Sequence, residues 1–267
     1  MRGGLGGPAT SWSSEESSES ALALVRQGLS LLERYETSRM LAELAEGINA
    51  LTRANGFIPE NHPIKLQCLE NLGFSLHSRF ERLGDIADIH AAITAQQPAR
   101  HTPDGDPRKP AYLSNLGASF GSRFVRLGDI ADLDAAITAQ PLAVCLAPDD
   151  HPDMHIHIDH LGVFFHRRFE HLGNITDLDE AIAAQHRAVH ITPDDHPDKP
   201  RHLTHLGNSF QSRFELLSDI ADLDEATMAQ QQAVRLAPDF HRYKTVCLFN
   251  LGRPSTVGGN TIPIIPL

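Results

Sequence analysis

The stretch RHLTHLGNSFQSRFELL at residues 201–217 places its large apolar residues on one side of a helix. Leu203, Leu206, Phe210, Phe214 and Leu217 lie three or four positions apart, the spacing that brings side chains to one helical face. The stretch therefore predicts an amphipathic helix, called helix A below, whose apolar face is packed in a core.

The Leu-Gly pair inside helix A recurs along the chain at steps of 44, 45, 45 and 45 residues. A proline and an Arg-Phe pair recur at the same step. Three series in one register indicate a repeat architecture in which each unit packs on its neighbours. The Leu-Gly copies are Leu72-Gly73, Leu116-Gly117, Leu161-Gly162, Leu206-Gly207 and Leu251-Gly252.

A second helical pattern, called helix B, completes each unit. In one unit Leu178, Ala181, Ile182 and Ala188 follow helical spacing, and a proline-rich segment at 192–197 then stops the helix. Gly173 predicts the end of the preceding helix A, and a capping box is predicted to start helix B. The box residues are Asp177 and Glu180, and prolines that should end or kink two other B helices early are Pro98 and Pro141.

The repeat register divides the chain. Residues 1–20, rich in serine and glutamate, are expected to be a disordered tail, and residues 253–267 an irregular Pro/Gly tail. The whole predicts an all-α, right-handed superhelix of five helix pairs plus an incomplete sixth. The repeat units lie near 21–63, 64–107, 108–152, 153–197, 198–242 and, in part, 243–252.

Composition excludes several classes of function. The net charge of -11 has the wrong sign for binding phosphates, so no nucleic-acid partner is expected. The three cysteines, at 68, 145 and 247, lack paired spacing, so we expect reduced core thiols. No stretch has the length of a membrane span or signal peptide, which favours a cytoplasmic or nuclear location. No hydrolase, nucleotide-binding or metalloprotease motif is present, so no catalytic residue and no cofactor are predicted.

The order of residues in the unit resembles that of a tetratricopeptide repeat (TPR). The period is longer than the 34 residues of that family, and we expect the excess in the turn between helices A and B. Short sequence motifs of this chain resemble those in the TPR arrays of fungal proteins. Those proteins often carry a CHAT domain, which has a caspase-like protease fold. The residues that carry the resemblance are Leu203, Leu206-Gly207, Phe210, Ala226, Ala233 and Pro238.

This resemblance implies a non-enzymatic scaffold that binds a protein or peptide in a concave groove lined by helix A. One alternative is a truncated regulatory array of a CHAT-type protease whose catalytic domain is absent. A second alternative is a metal- or pH-responsive module built on clustered histidines. The unfinished sixth helix A is expected to leave an apolar strip available for self-association.

One position on helix A, directly before Leu-Gly, is the predicted groove site. In chaperone-binding relatives an asparagine at this position helps to clamp a peptide carboxylate, but the residues preceding it here are not basic. A competing interpretation is that these side chains bond only to neighbouring helices. The groove candidates are Asn71, Asn115, His160, His205 and Asn250.

Two further sets of side chains recur. One arginine lies near the C-terminal end of each of four predicted A helices, and we interpret these arginines as structural partners of the acidic residues that follow. They are Arg79, Arg123, Arg168 and Arg213. Histidines at i and i+3 in two adjacent units could converge on zinc. These are His157, His160, His202 and His205.

Overall fold

The computed structural model describes residues 15–147, 151–237, 244–245, 248–249, 255–257 and 260–262. Within these residues the chain forms ten α-helices, one short 3-10 helix and one two-stranded antiparallel hairpin. The chain divides into two compact units, residues 1–102 and 103–267. The first contains α1 (Glu15–Ser38), α2 (Leu41–Phe57), α3 (Lys65–Leu83), α4 (Ile86–Gln96) and the 3-10 helix Gln97–His101.

The second unit contains three helix pairs and the hairpin. Each helix packs on the next one in the chain, and α5 also contacts α7 as α7 contacts α9. No contact joins α6 to α8 or α8 to α10 in the described part of this unit, so the A helices form its inner layer. Its elements are α5 (Lys109–Leu127), α6 (Ile130–Leu146), α7 (Met154–Leu172), α8 (Ile175–Ile191), α9 (Lys199–Leu217), α10 (Ile220–Leu236), β1 (Ser255–Val257) and β2 (Asn260–Ile262).

The turn between helices A and B is only two residues long, contrary to the long turn that we expected. Helix α9 continues to Leu217 and α10 already begins at Ile220. The extra residues of the unit therefore lie largely in longer helices. Leu217 itself is 57% exposed, so the predicted apolar face is buried only as far as Phe214.

From α3 onward, each turn between helices A and B combines a left-handed residue with a side-chain cap. Gly173 has a φ of 69°, a conformation that glycine adopts without steric cost, and it ends α7 as predicted. Asn174 caps α8 by accepting a hydrogen bond from the Thr176 backbone N–H. The predicted capping box at Asp177 is wrong by three positions, because Asp177 lies inside the helix and binds Arg168.

The two prolines behave differently. Helix α4 stops at Gln96 and a 3-10 turn containing Pro98 follows, as predicted. The prediction for Pro141 is wrong as to helix end, because α6 continues through it to Leu146. One missing backbone donor is tolerated there, since Ala139 and Ala143 on either side remain buried in the core.

The chain ends and one cysteine also differ from expectation. Helix α1 begins at Glu15, inside the segment expected to be disordered, where acidic residues suit a helix N-terminus. Strands β1 and β2 lie in the tail expected to be irregular, and their Thr and Val residues favour extended backbone. Cys145 is exposed and only Cys68 is buried, while Cys247, Asn250 and Leu251-Gly252 lie outside the described residues.

In the four Leu-Gly pairs that the structure describes, the glycine leaves space for a buried glutamine of helix B. A Cβ atom on Gly162 would lie 2.6 Å from Cγ of Gln185, and one on Gly207 would lie 2.9 Å from Cγ of Gln230. The glutamines follow the repeat step and are almost fully buried. They are Gln96, Gln140, Gln185 and Gln230.

Charged side chains join helix A to helix B in every complete A–B pair from α3 onward. Arg213 donates from Nε to Asp222 Oδ2 over 2.9 Å and from Nη2 to Oδ1 over 2.7 Å. Its Nη1 also donates to Asp179 of the preceding B helix over 2.9 Å. The structural interpretation of the arginine series is thereby confirmed. The pairs are Arg79–Asp88, Arg123–Asp132, Arg168–Asp177 and Arg213–Asp222.

A lysine at the start of helix A holds the end of the preceding helix B. Lys199 Nζ donates to the carbonyls of Val189 and Thr192 over 2.8 and 2.6 Å. Lys65 and Lys244 make equivalent bonds. A cation at a helix C-terminus satisfies carbonyls that have no partner in the helix. This contact therefore fixes the start of one helix A against the end of the preceding helix B.

Candidate functional site between α7 and α9

The predicted groove position is half-buried in α3, α5, α7 and α9. Asn71, Asn115, His160 and His205 share this partial exposure. Asn71 donates from Nδ2 to the Gln67 carbonyl of its own helix over 2.7 Å. His205 instead reaches across to the neighbouring helix, so the same position serves different contacts in different units.

The four histidines predicted as one zinc site lie at two successive levels of the second unit. His202 and His205 of α9 face Asp159 of α7. One level earlier, His157 of α7 faces Ser114 of α5, with 2.9 Å between Nδ1 and Oγ. His202 and His205 therefore meet at Asp159, and among the described residues the four histidines do not form one metal-binding group.

The deeper level is a charged cluster of three side chains, which we call the Asp159 cluster: Asp159, His202 and His205. Nδ1 of each imidazole lies 3.0 Å from a carboxylate oxygen. The side chains of Asp159 and His202 are fully buried, whereas that of His205 is 30% exposed. Burial alone would raise the pKa of Asp159, but the two imidazoles outweigh it and hold that pKa well below its usual value.

A second group of three side chains adjoins this cluster. His155, His196 and Asp198 have potential ligand atoms within 4.8 Å of one another. The ring of His155 lies 5.4 Å from that of His202, measured between centroids. Burial, followed by the charges of His202 and His196, lowers the pKa of His155.

The other two histidines are neutral at physiological pH. Burial is the main cause that lowers the pKa of His157 to about 4, with the nearby His151 adding to it. Burial likewise lowers the pKa of His160 to about 4. His160 Nδ1 has no hydrogen-bond partner among the described residues. Both imidazoles at this level are therefore neutral. Helix α5 contributes no carboxylate to this level, because Ser114 stands there.

A recess of about 270 Å³ opens beside the Asp159 cluster, between α7 and α9. We call it the α7–α9 recess. His205 forms part of its wall, so the cluster can be reached from it. Arg167 and Glu170 contribute from α7, Arg201 and Asn208 from α9, and Gln185 from α8.

Gln185 and Arg201 are two residues of the recess with unused hydrogen-bonding capacity. The side chain of Gln185 is fully buried, and neither Oε1 nor Nε2 has a partner among the described residues. Nε and Nη2 of Arg201 are also buried without a hydrogen bond. Unpaired buried polar atoms cost free energy, so a bound polar group would recover part of that cost.

Sequence reasoning missed Asp159 and Gln185. Asp159 occupies the repeat position directly before the predicted groove position. The equivalent residues of other repeats are Glu70, Ser114 and Thr204. The signal that could have found Asp159 is its pairing with His202 and His205 of the following repeat, 43 and 46 residues further along the chain. Gln185 was visible as a polar interruption of helix B, and its recurrence at the repeat step would have marked it.

Comparison with known proteins supports the fold and no more. No protein-family model and no curated protein sequence matches the chain. The TPR-like repeats of a Podosopora anserina kinesin light chain match with a TM-score of 0.57 and 14% identity, covering 87% of this chain and 99% of that one. A thermophilic TPR protein of Thermus thermophilus matches with a TM-score of 0.54 and 16% identity, covering 86% and 98%.

The MamA protein is a third such neighbour, with a TM-score of 0.55, 16% identity and coverage of 82% and 92%. These likenesses, together with the ten helices, establish an all-α solenoid of TPR-like helix pairs. The expected fold class is confirmed. Among the described residues, no helix combines the length and apolar character needed to span a bilayer.

Proposed function

We propose that this chain is a non-enzymatic scaffold that binds an extended segment of another protein along its A helices, with the α7–α9 recess as one point of contact. The observation that carries the proposal is the unused hydrogen-bonding capacity of buried Gln185 in that recess. TPR-like helix pairs offer an extended inner surface of this kind.

The chemistry of the recess suits a peptide backbone. The Gln185 side chain is an amide that can donate and accept at once, as a peptide bond can. Asn208 offers a second amide on the recess wall. Together they favour a ligand that presents carbonyl and N–H groups in series.

The charge of the recess favours an acidic side chain on that segment. Arg167 and Arg201 are two cations against the single carboxylate of Glu170. The chain as a whole has a net charge of -11, so this local excess of positive charge is not a property of the average surface. An acidic residue of the ligand would bind here through charge-assisted hydrogen bonds.

The test is selection of peptides from a random display library on the full-length chain, followed by affinity measurement by fluorescence anisotropy. We expect acidic peptides whose affinity falls about tenfold or more in Arg167→Ala, since a hydrogen bond to a charged group contributes about 1.5–3 kcal/mol. Asn208→Ala should weaken the same peptides.

The matched control is Arg187→Ala. Arg187 is an exposed arginine on helix B (α8), away from the inner layer, so its loss should leave peptide affinity unchanged. Equal losses in the Arg167 and Arg187 variants would contradict the proposed site, as would selected peptides without acidic residues that bind both variants normally.

A further inference from the structure

We propose that Asp159, His202 and His205 bind one divalent transition-metal ion of the zinc class and so join α7 to α9. This inference does not depend on peptide binding. It differs from the sequence-based zinc prediction in its ligands, because it includes a carboxylate and omits His157 and His160.

The distances within the Asp159 cluster suit such an ion. The carboxylate and the two Nδ1 atoms all lie within 4.8 Å of one another, with 3.0 Å from the carboxylate to each nitrogen. Metal–ligand bonds of about 2.0–2.2 Å in a tetrahedral site place ligand atoms about 3.3–3.6 Å apart. An ion therefore requires only a small outward movement of groups that now lie 3.0 Å apart.

The donor set selects the class of metal. Two imidazole nitrogens and one carboxylate oxygen suit zinc, copper, nickel or cobalt, whereas calcium and magnesium prefer oxygen ligands. Three protein ligands leave one position of a tetrahedral ion open. The partial exposure of His205 at the recess gives the ion a route of entry and places that open position towards the recess.

Arg201 is the group that opposes metal binding. Its Nε atom lies 3.8 Å from Asp159 Oδ2, which is beyond hydrogen-bond distance, and its Nη2 atom lies 3.6 Å from Asp198. The guanidinium thus does not occupy the carboxylate, but its charge repels a second cation. Removing that charge should tighten metal binding.

The preceding level of the unit is a natural control. His157 and His160 occupy there the positions that His202 and His205 occupy in the Asp159 cluster, and Ser114 stands in place of Asp159. His157 contacts Ser114 as His202 contacts Asp159. Because a neutral hydroxyl is a poor ligand for these metals, this level should bind none. Substitution Ser114→Asp should supply the missing carboxylate.

The experiment uses the full chain purified without a histidine tag, freed of metal, and titrated with Zn²⁺ by calorimetry and with Co²⁺ by absorption spectroscopy. We expect one equivalent to bind to the wild type. His205→Asn should weaken binding by more than about 10-fold, the loss that even outer-shell partners cause. Asparagine is found at this position in other units, so the variant should fold, which circular dichroism can check.

Two further variants extend the test. Arg201→Gln should bind Zn²⁺ several-fold more tightly, and Ser114→Asp should bind a second equivalent. Binding that persists in His205→Asn but is lost in His196→Asn would overturn the assignment in favour of the adjoining group. Binding of well under one equivalent to the folded wild type would overturn it altogether.

Discussion

At the scale of single residues, the buried and unpaired carboxyl of Glu70 in α3 lowers the stability of the folded chain. The Glu70 side chain is 3% exposed, and neither oxygen has a hydrogen-bond partner among the described residues. Burial raises its pKa to about 9, so the carboxyl remains protonated in the folded chain at neutral pH. The unfolded chain, with an ordinary pKa of about 4.3, releases that proton.

This difference predicts a pH dependence of stability. Because the folded state holds the proton more tightly, the contribution of Glu70 is fully present below about pH 4 and is lost as the pH rises towards about 9. Glu70→Gln should remove this dependence and stabilise the chain at pH 8 by on the order of 3 kcal/mol, because an amide has no proton to release on unfolding. Urea unfolding at pH 5 and pH 8 measures it.

Glu46→Gln is the control for this measurement. Glu46 is exposed on α2, so its substitution should change the free energy of unfolding little at either pH. A Glu70→Gln variant that follows the wild-type pH dependence would show that Glu70 is ionised in the folded chain.

At the scale of elements, the α7–α8 and α9–α10 pairs are each joined by an arginine that binds two aspartates of different exposure. The side chain of Asp222, on the same pair as Arg213, is 6% exposed, and that of Asp179, on the preceding B helix, is 55% exposed. Exposed ion pairs contribute about 0–1 kcal/mol, whereas bonds that hold a buried charge contribute more.

The two aspartates therefore provide a matched pair of substitutions. Asp222→Asn should lower the free energy of unfolding by about 1.5–3 kcal/mol, because it weakens both bonds to Arg213 and leaves that charge without its buried partner. Asp179→Asn should cost less than about 1 kcal/mol and become neutral in high salt. Denaturant unfolding at two salt concentrations compares them, and equal costs would contradict the structural role assigned to Asp222.

At the scale of the whole molecule, the repeats make stability a local property. Within each of the two compact units, a helix packs mainly on the helices next to it in the chain, so a defect in one helix pair has no direct route to distant ones. The Gly162–Gln185 contact provides a place to introduce such a defect, since an added Cβ would also lie 3.1 Å from the Ala181 carbonyl oxygen.

Gly162→Ala should destabilise the chain by about 1–3 kcal/mol through overpacking. Hydrogen exchange should accelerate in α7, α8 and α9, while α1 and α2 keep the wild-type rates. The control is Gly56→Ala in α2, where the new Cβ meets nothing within 4 Å and helix propensity should improve stability slightly. Faster exchange throughout the chain in the Gly162 variant would show instead that the repeats unfold as one cooperative body.

The sequence was sufficient for the class of fold, the succession of helix pairs and the left-handed Gly173 that ends α7, because helical spacing and turn chemistry are local properties. It misplaced the cap of α8 by three positions, because Asp177 can serve either as a cap or as the partner of Arg168. Local sequence does not distinguish these uses.

The tertiary structure alone decided which residues of different units meet. Asp159 faces His202 and His205, and Gln185 reaches the recess past Gly162, only because α7, α8 and α9 pack at this spacing. The spacing depends on the summed packing of all side chains between the helices. Residues at the same position of successive repeats therefore make different contacts. The site forms where helix packing brings the right neighbours together.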